Sequence, residues 1–194
     1  MKIIKMLLVA GLVMPGLALA DASDYSYIEG AYLQGEISEV EVDGFGVEAS
    51  LEFIDRFLAV ASFTDLDQDD DGIGADLEGD ITSVGLGFIF GRNETASVYG
   101  TVSHIEYDVR GRLGAFVFGD DSEGAQFELG ARMNLSPEAE LYVAAKHTDL
   151  GEDDGDTALD AGLVYQFLPA LSGMLTYSRN DDDDIMGLGL RLNF

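Results

Sequence analysis

The hydrophobic residues of this chain keep a period of two, the spacing that puts alternate side chains on opposite faces of an extended strand. At the C-terminus Met186, Leu188, Leu190, Leu192 and Phe194 share one face, and Gly187, Gly189, Arg191 and Asn193 share the other. In 44–54, Phe45, Val47, Ala49, Leu51 and Phe53 oppose Gly46, Glu48, Ser50 and Glu52. In 81–90, Val84, Leu86, Phe88 and Phe90 oppose Ser83, Gly85 and Gly87. In 96–109, Tyr99, Ile105 and Tyr107 oppose Gly100, His104 and Glu106. Ala125, Phe127, Leu129, Ala131 and Met133 oppose Gln126, Glu128, Gly130 and Arg132, while Leu141, Val143 and Ala145 oppose Tyr142, Ala144 and Lys146. Leu159, Ala161, Leu163, Tyr165 and Phe167 oppose Asp160, Gly162, Val164 and Gln166. Segments 25–34, 57–64, 170–179 and 185–194 complete a set of ten strands, and only in 57–64 does the pattern leave the outward face open. Lengths fall near the ~9–11 residues of a tilted membrane strand.

The connections sort by parity. The odd ones (35–43, 65–80, 110–123, 151–156, 180–184) are acidic and mostly long, and the even ones (55–56, 91–95, 136–138, 168–169) are short. An up-and-down barrel in a membrane has this asymmetry, with long loops outside and tight turns inside. A soluble sandwich or lipocalin-like barrel has no reason for it and would also point its apolar face inward. The expected fold is therefore an all-β, transmembrane, antiparallel up-and-down barrel of ten strands, with eight as the alternative.

Residues 1–20 read as a secretory signal peptide, with Lys2 and Lys5 before an apolar run and Ala18-Leu19-Ala20 as the cleavage site. The run falls short of the ~20 residues a spanning helix needs. Residues 21–194 form the barrel domain. The chain carries 37 acidic residues against 10 Lys and Arg, a formal charge of −27; loss of the two leader lysines makes it −29. Nucleic acid is excluded as a partner on electrostatic grounds. Cysteine is absent, which excludes disulfides and thiol chemistry.

Closure is what makes such strands viable in lipid, because every backbone polar group then finds a partner. The inward face is expected to hold a polar network of Glu48, Glu52, Glu106, Glu128, Arg132, Lys146, Asp160 and Arg191, paired because lone buried charges are costly. That network predicts a mostly occluded lumen; a narrow cation-selecting pore is the alternative. Aromatic residues near strand ends (Tyr25, Tyr27, Phe53, Phe57, Phe90, Tyr107, Phe167, Tyr177) are expected to form interfacial girdles.

Two constellations carry potential chemistry. Asp67, Asp69, Asp71, Gly72 and Glu78 match the spacing of a calcium loop, whose alternating carboxylates converge on one hard cation. The strands on either side speak for a solvated acidic loop instead. No other cofactor is expected. The acidic runs 151–156 and 181–184 are expected to be hydrated loop tips that gather divalent cations beside lipopolysaccharide phosphates. His147 and Asp149 share a strand face near the outer rim, the one place for a rim enzyme acting on lipid or peptide. Ser103 and His104, being adjacent, point to opposite faces, which opposes a serine nucleophile with its base. No catalytic residue is assigned.

The terminal strand, ending in Leu190, Leu192 and Phe194, resembles the closing strand of bacterial outer-membrane barrels. That resemblance implies a C-terminal signal read by the barrel-assembly machinery. Tyr25-Ser-Tyr27-Ile-Glu29-Gly30-Ala-Tyr32, followed by Asp43-Gly-Phe-Gly46, resembles the opening of small proteobacterial outer-membrane barrels, described as porin-like or OmpA/OmpX-like. The resemblance implies a Gram-negative outer-membrane location; the expected neighbours are outer-membrane lipid and lipopolysaccharide, the expected state is a monomer, and the expected role is structural or surface interaction.

Overall fold

The structure, a computed structural model, describes residues 25–37, 40–68, 75–113, 116–151, 155–181 and 183–194. The leader 1–20 lies outside them. Ten strands follow one another: β1 (Tyr27–Ile37), β2 (Val40–Ile54), β3 (Phe57–Gln68), β4 (Ala75–Arg92), β5 (Ala96–Leu113), β6 (Phe116–Asn134), β7 (Ala139–Asp149), β8 (Asp156–Leu168), β9 (Leu171–Arg179) and β10 (Asp184–Asn193). Each pairs antiparallel with its chain neighbours, and β1 pairs with β10, so the sheet closes with no edge. The first described residues and the C-terminus meet at one end, where Phe194 N–H donates to Ser26 O at 3.0 Å. We call that end the base and the other the mouth.

The register climbs around the barrel. Tyr27 at the start of β1 pairs with Ser50, Ser50 with Val60, Val60 with Gly85, Gly85 with Ser103, Ser103 with Gln126, and Gln126 with Thr148 near the mouth end of β7. Such stagger requires tilted strands, about 35–45° in barrels of this kind.

The oily face points outward. Leu188 is 70% exposed and Leu86 and Leu159 are each 64% exposed, whereas Arg191 is 2% and Glu140 0% exposed. This inversion of the soluble rule is what lipid demands. Phe53, Phe57, Phe90, Phe167 and Tyr177 lie on the exposed outer face as expected. Tyr25, Tyr27 and Tyr107 do not: the first two are buried in the barrel and Tyr107 lines its interior. These three tyrosines serve the lumen, not the girdle.

The segments 65–80 and 110–123, expected as loops, are largely strand. β4, β5 and β6 run 18, 18 and 19 residues, and pairing continues up to Leu113 and Phe116. At ~3.4 Å per residue and a tilt near 40° these ladders rise roughly 45 Å, well above the ~25 Å apolar band. Above that band both faces meet water, so the backbone stays paired while the hydrophobic alternation disappears. At the base, β2 turns into β3 through Asp55 and Arg56, with Arg56 at φ 71°, a left-handed conformation unusual for a side chain.

Candidate functional site

Tilt and alternation bring the inward side chains of non-neighbouring strands together, and the lumen divides into two storeys. The lower storey is a lattice of charges and phenols. Arg132 on β6 donates from Nη2 to the Tyr27 phenol on β1 at 2.9 Å, and Tyr27 donates onward to Glu48 Oε1 at 2.6 Å. Arg191 on β10 bonds Glu29 Oε2 at 2.7 Å and Glu140 Oε1 at 3.2 Å. Glu140 on β7 also lies 3.9 Å from Arg132. Two of these contacts, Arg132 to Tyr27 and Arg191 to Glu140, join strands five and three places apart and cross the interior.

The arginines are also wrapped in aromatic faces. Arg132 Cζ sits 4.2, 5.0 and 5.5 Å from the ring centres of Tyr25, Tyr27 and Tyr99, and Arg191 Cζ 4.2 Å from Tyr27. A guanidinium is weakly hydrated and stacks on π-faces, which suits burial better than an ammonium would. Tyr99 donates to Glu128 Oε1 at 2.6 Å, and Lys146 reaches Asp160 Oδ2 at 2.7 Å and Glu128 Oε2 at 3.8 Å. Two glycines make room: Gly130 faces Tyr99 and Gly162 faces Tyr142 across their ladders, and a Cβ at either would overlap the phenol ring. A cavity of about 50 Å³, lined in part by Glu48, Ser50, Thr101 and Lys146, is the open space left beside this lattice.

Of the eight residues expected in the lumen network, Glu48, Glu128, Arg132, Lys146, Asp160 and Arg191 meet in this storey. Glu52 sits at the base rim, gripped by Arg92 at 2.5 Å. Glu106 is a correction: it lies on the outer wall, its carboxylate 3.3 Å from His104 Nε2 and mostly exposed. Along β5 the large residues Tyr99 and Ile105 point inward and Gly100, His104 and Glu106 outward, so the apolar-out rule assigned this strand the wrong way round. Glu29, Tyr27 and Glu140 were missed. Glu29 falls on the same alternation as Tyr27, whose expected place in the outer girdle turned both the wrong way; Glu140 lies on the same face of β7 as Tyr142, Ala144 and Lys146.

The upper storey has a different chemistry. A cavity of about 670 Å³ opens at the mouth, walled largely by Ile37, Val42, Leu66, Ile81, Tyr107 and Ile185, with Gln126, Lys146 and Thr148 below. The upper part of the lumen is thus lined largely by apolar side chains, unlike the charged lattice beneath it.

The remaining candidates lie on the outer wall. His147 Nδ1 is 3.0 Å from Thr157 Oγ1, and Asp149 Oδ1 accepts from Gly151 N–H at 2.9 Å, so each of the pair bonds elsewhere. His104 gathers with Glu106 and Glu123, whose nearest atoms all lie within 4.8 Å of one another on exposed side chains. Asp67 and Glu78 of the calcium pattern pair directly across β3 and β4, while Asp69 and Asp71 lie outside the described residues. The terminal Leu190, Leu192 and Phe194 line the outer side of β10 at the base.

The sequence profile of the outer membrane protein beta-barrel domain matches residues 6–167. Among solved structures, the attachment invasion locus protein Ail of Yersinia pestis is similar at 17% identity and a TM-score of 0.45, over 87% of this chain and 97% of that one. The N-terminal β-barrel domain of Pseudomonas aeruginosa OprF matches at 12% identity and a TM-score of 0.48, over 87% and 98% of the two chains. Neisserial surface protein A matches at 13% identity and a TM-score of 0.48, over 87% and 95%. No curated protein matches the sequence significantly.

Proposed function

This chain belongs to the outer membrane protein beta-barrel family, and on that premise we propose that it is a non-conducting surface barrel whose base is stoppered by its own side chains. Its place is the outer membrane of a Gram-negative cell. The observation that carries the reading is the chord from Arg132 to Tyr27, continued by Arg191 and Glu140, with both guanidinium groups at 5% exposure or less. A hydrated ion must displace buried, multiply bonded arginines to pass, and their desolvated pairing opposes that.

The role that fits a stoppered barrel is structural or surface-interactive. The signal peptide delivers the chain across the inner membrane, and the strand ending at Phe194 is presented to the barrel-assembly machinery. Above the apolar band the outward Asp43, Asp65, Asp67, Glu78 and Asp80 face the lipopolysaccharide phosphates, with divalent cations between. The barrel acts as a monomer.

Conductance across a planar bilayer tests the stopper. Wild type is expected to be silent, and Arg132→Ala, which removes the chord and leaves an acidic lumen, is expected to show cation-selective steps. Steady steps from the wild type at low voltage overturn the proposal in favour of a narrow cation pore.

A further inference from the structure

The upper storey has no role in stopping the barrel, and its chemistry is opposite to what a water-filled vestibule requires. The same strands carry polar inward residues lower down, among them Glu29, Glu48, Ser62, Ser83 and Ser103, so nothing in the backbone forbids polar side chains at the mouth. Instead Ile37 and Val42 from β1 and β2, Leu66 from β3, Ile81 from β4, Tyr107 from β5 and Ile185 from β10 converge on one space. Exposed apolar residues gathered in a concave space, unlike ones scattered over a surface, mark a site. The volume, about 670 Å³, lies within the ~300–1,000 Å³ range of small-molecule sites.

The polar groups around this cup select the charge of its guest. At the floor, Lys146 is held by Asp160 at 2.7 Å and Glu128 at 3.8 Å, two acids to one base, so its charge is already matched by carboxylates. At the rim, Asn180 Nδ2 donates to Asp156 Oδ2 at 2.7 Å and to Asp183 Oδ2 at 2.8 Å, which fixes two carboxylates over the opening. The whole chain adds a formal −27, a field that repels anions and concentrates cations at a concave mouth.

We propose that the cup is a binding site for a small amphiphilic cation, its apolar body inserted between Val42, Leu66, Ile81 and Ile185 and its cationic head left at the rim beside Asp156 and Asp183. The site takes an alkylammonium-like molecule in preference to an uncharged one of the same length, and rejects the carboxylate. The proposal concerns the outer storey alone and is independent of whether ions cross the lattice beneath it.

The test uses the full mature chain, refolded into phosphatidylcholine nanodiscs, with empty nanodiscs as the blank. Calorimetric titration with octyltrimethylammonium, octanol and octanoate reads the head-group preference at constant chain length. The expected result is saturable binding of one octyltrimethylammonium per barrel, weaker octanol binding and no octanoate binding above the blank. Ala158→Trp, which fills the cup from β8, is expected to weaken octyltrimethylammonium at least tenfold, and Asp156→Asn/Asp183→Asn to abolish the preference for the cation over octanol. Ile185→Asn provides a smaller change should the tryptophan variant misfold, as judged by migration on unheated gels. No saturable binding to the wild type, equal binding by the filled variant, or octanoate binding as tightly as the cation each overturns the proposal.

Discussion

Arg132 and Tyr27 stand on strands five places apart in a ring of ten, and their 2.9 Å hydrogen bond runs straight across the barrel. A diametric bond constrains the whole wall, because neither strand can move outward without breaking it. Glu140 joins the same lattice from a third direction through Arg191 and Arg132.

Glu140 is fully buried between two guanidinium groups, so removing its charge leaves both without a shared anion. Glu140→Leu is expected to destabilise the barrel by about 3–5 kcal/mol, the cost of orphaning a buried charge. Glu140→Gln, which keeps the shape and part of the hydrogen bonding, should cost less. Urea unfolding in detergent micelles, followed by tyrosine fluorescence or by the shift between fast and slow gel forms, measures both.

Gly130 and Tyr99 form a matched pair, a gap on β6 filled by a ring from β5. Gly130→Val drives a side chain into that ring and is expected to cost about 1–3 kcal/mol, the range for overpacking. Tyr99→Ala in the same chain should remove most of the clash. A double-mutant cycle then shows a coupling of about 1 kcal/mol or more; additive losses would mean that the two residues do not share the space.

Arg56 adopts φ 71° in the turn between β2 and β3. Asparagine tolerates that conformation better than arginine does. Arg56→Asn is expected to raise stability by about 0.5–1 kcal/mol, read as a higher urea midpoint with unchanged slope.

Phe194 ends the chain at the base, held there by one backbone bond to Ser26. Because its side chain is not part of the internal lattice, Phe194→Ala should leave in vitro stability within about 0.5 kcal/mol of wild type, as surface changes do. Its effect should fall on assembly: a several-fold slower appearance of the folded form in pulse-labelled cells. A loss of stability equal to that of Glu140→Leu would show that the residue serves packing instead.

The strand count and the facing of β2, β6, β8 and β10 were legible because each of these strands divides small or charged residues from large apolar ones. β5 also alternates, yet its sense was misread. Tyr99 and Ile105 fill the lumen, so size there no longer reports lipid contact. β3 was undecidable for a related reason: Leu58 and Val60 pack inward at the base while Phe57, Ala59 and Phe63 face out, leaving both sides apolar. Which charges meet was not legible at all. Arg132 and Tyr27 are 105 residues apart, and only curvature and stagger together bring them face to face. The apolar cup escaped notice because its walls come one or two residues at a time from several strands.

The unequal strands give the barrel a lopsided profile. β4, β5 and β6, at 18 to 19 residues, stand as a screen, whereas β9 and β10, at 9 and 10 residues, leave a low sill on the opposite side. A guest of the proposed cup that skims along the bilayer surface should meet a wall on one flank and a lower rim on the other. Arrivals sideways from the lipid headgroups should thus outnumber those dropping in from the surrounding fluid.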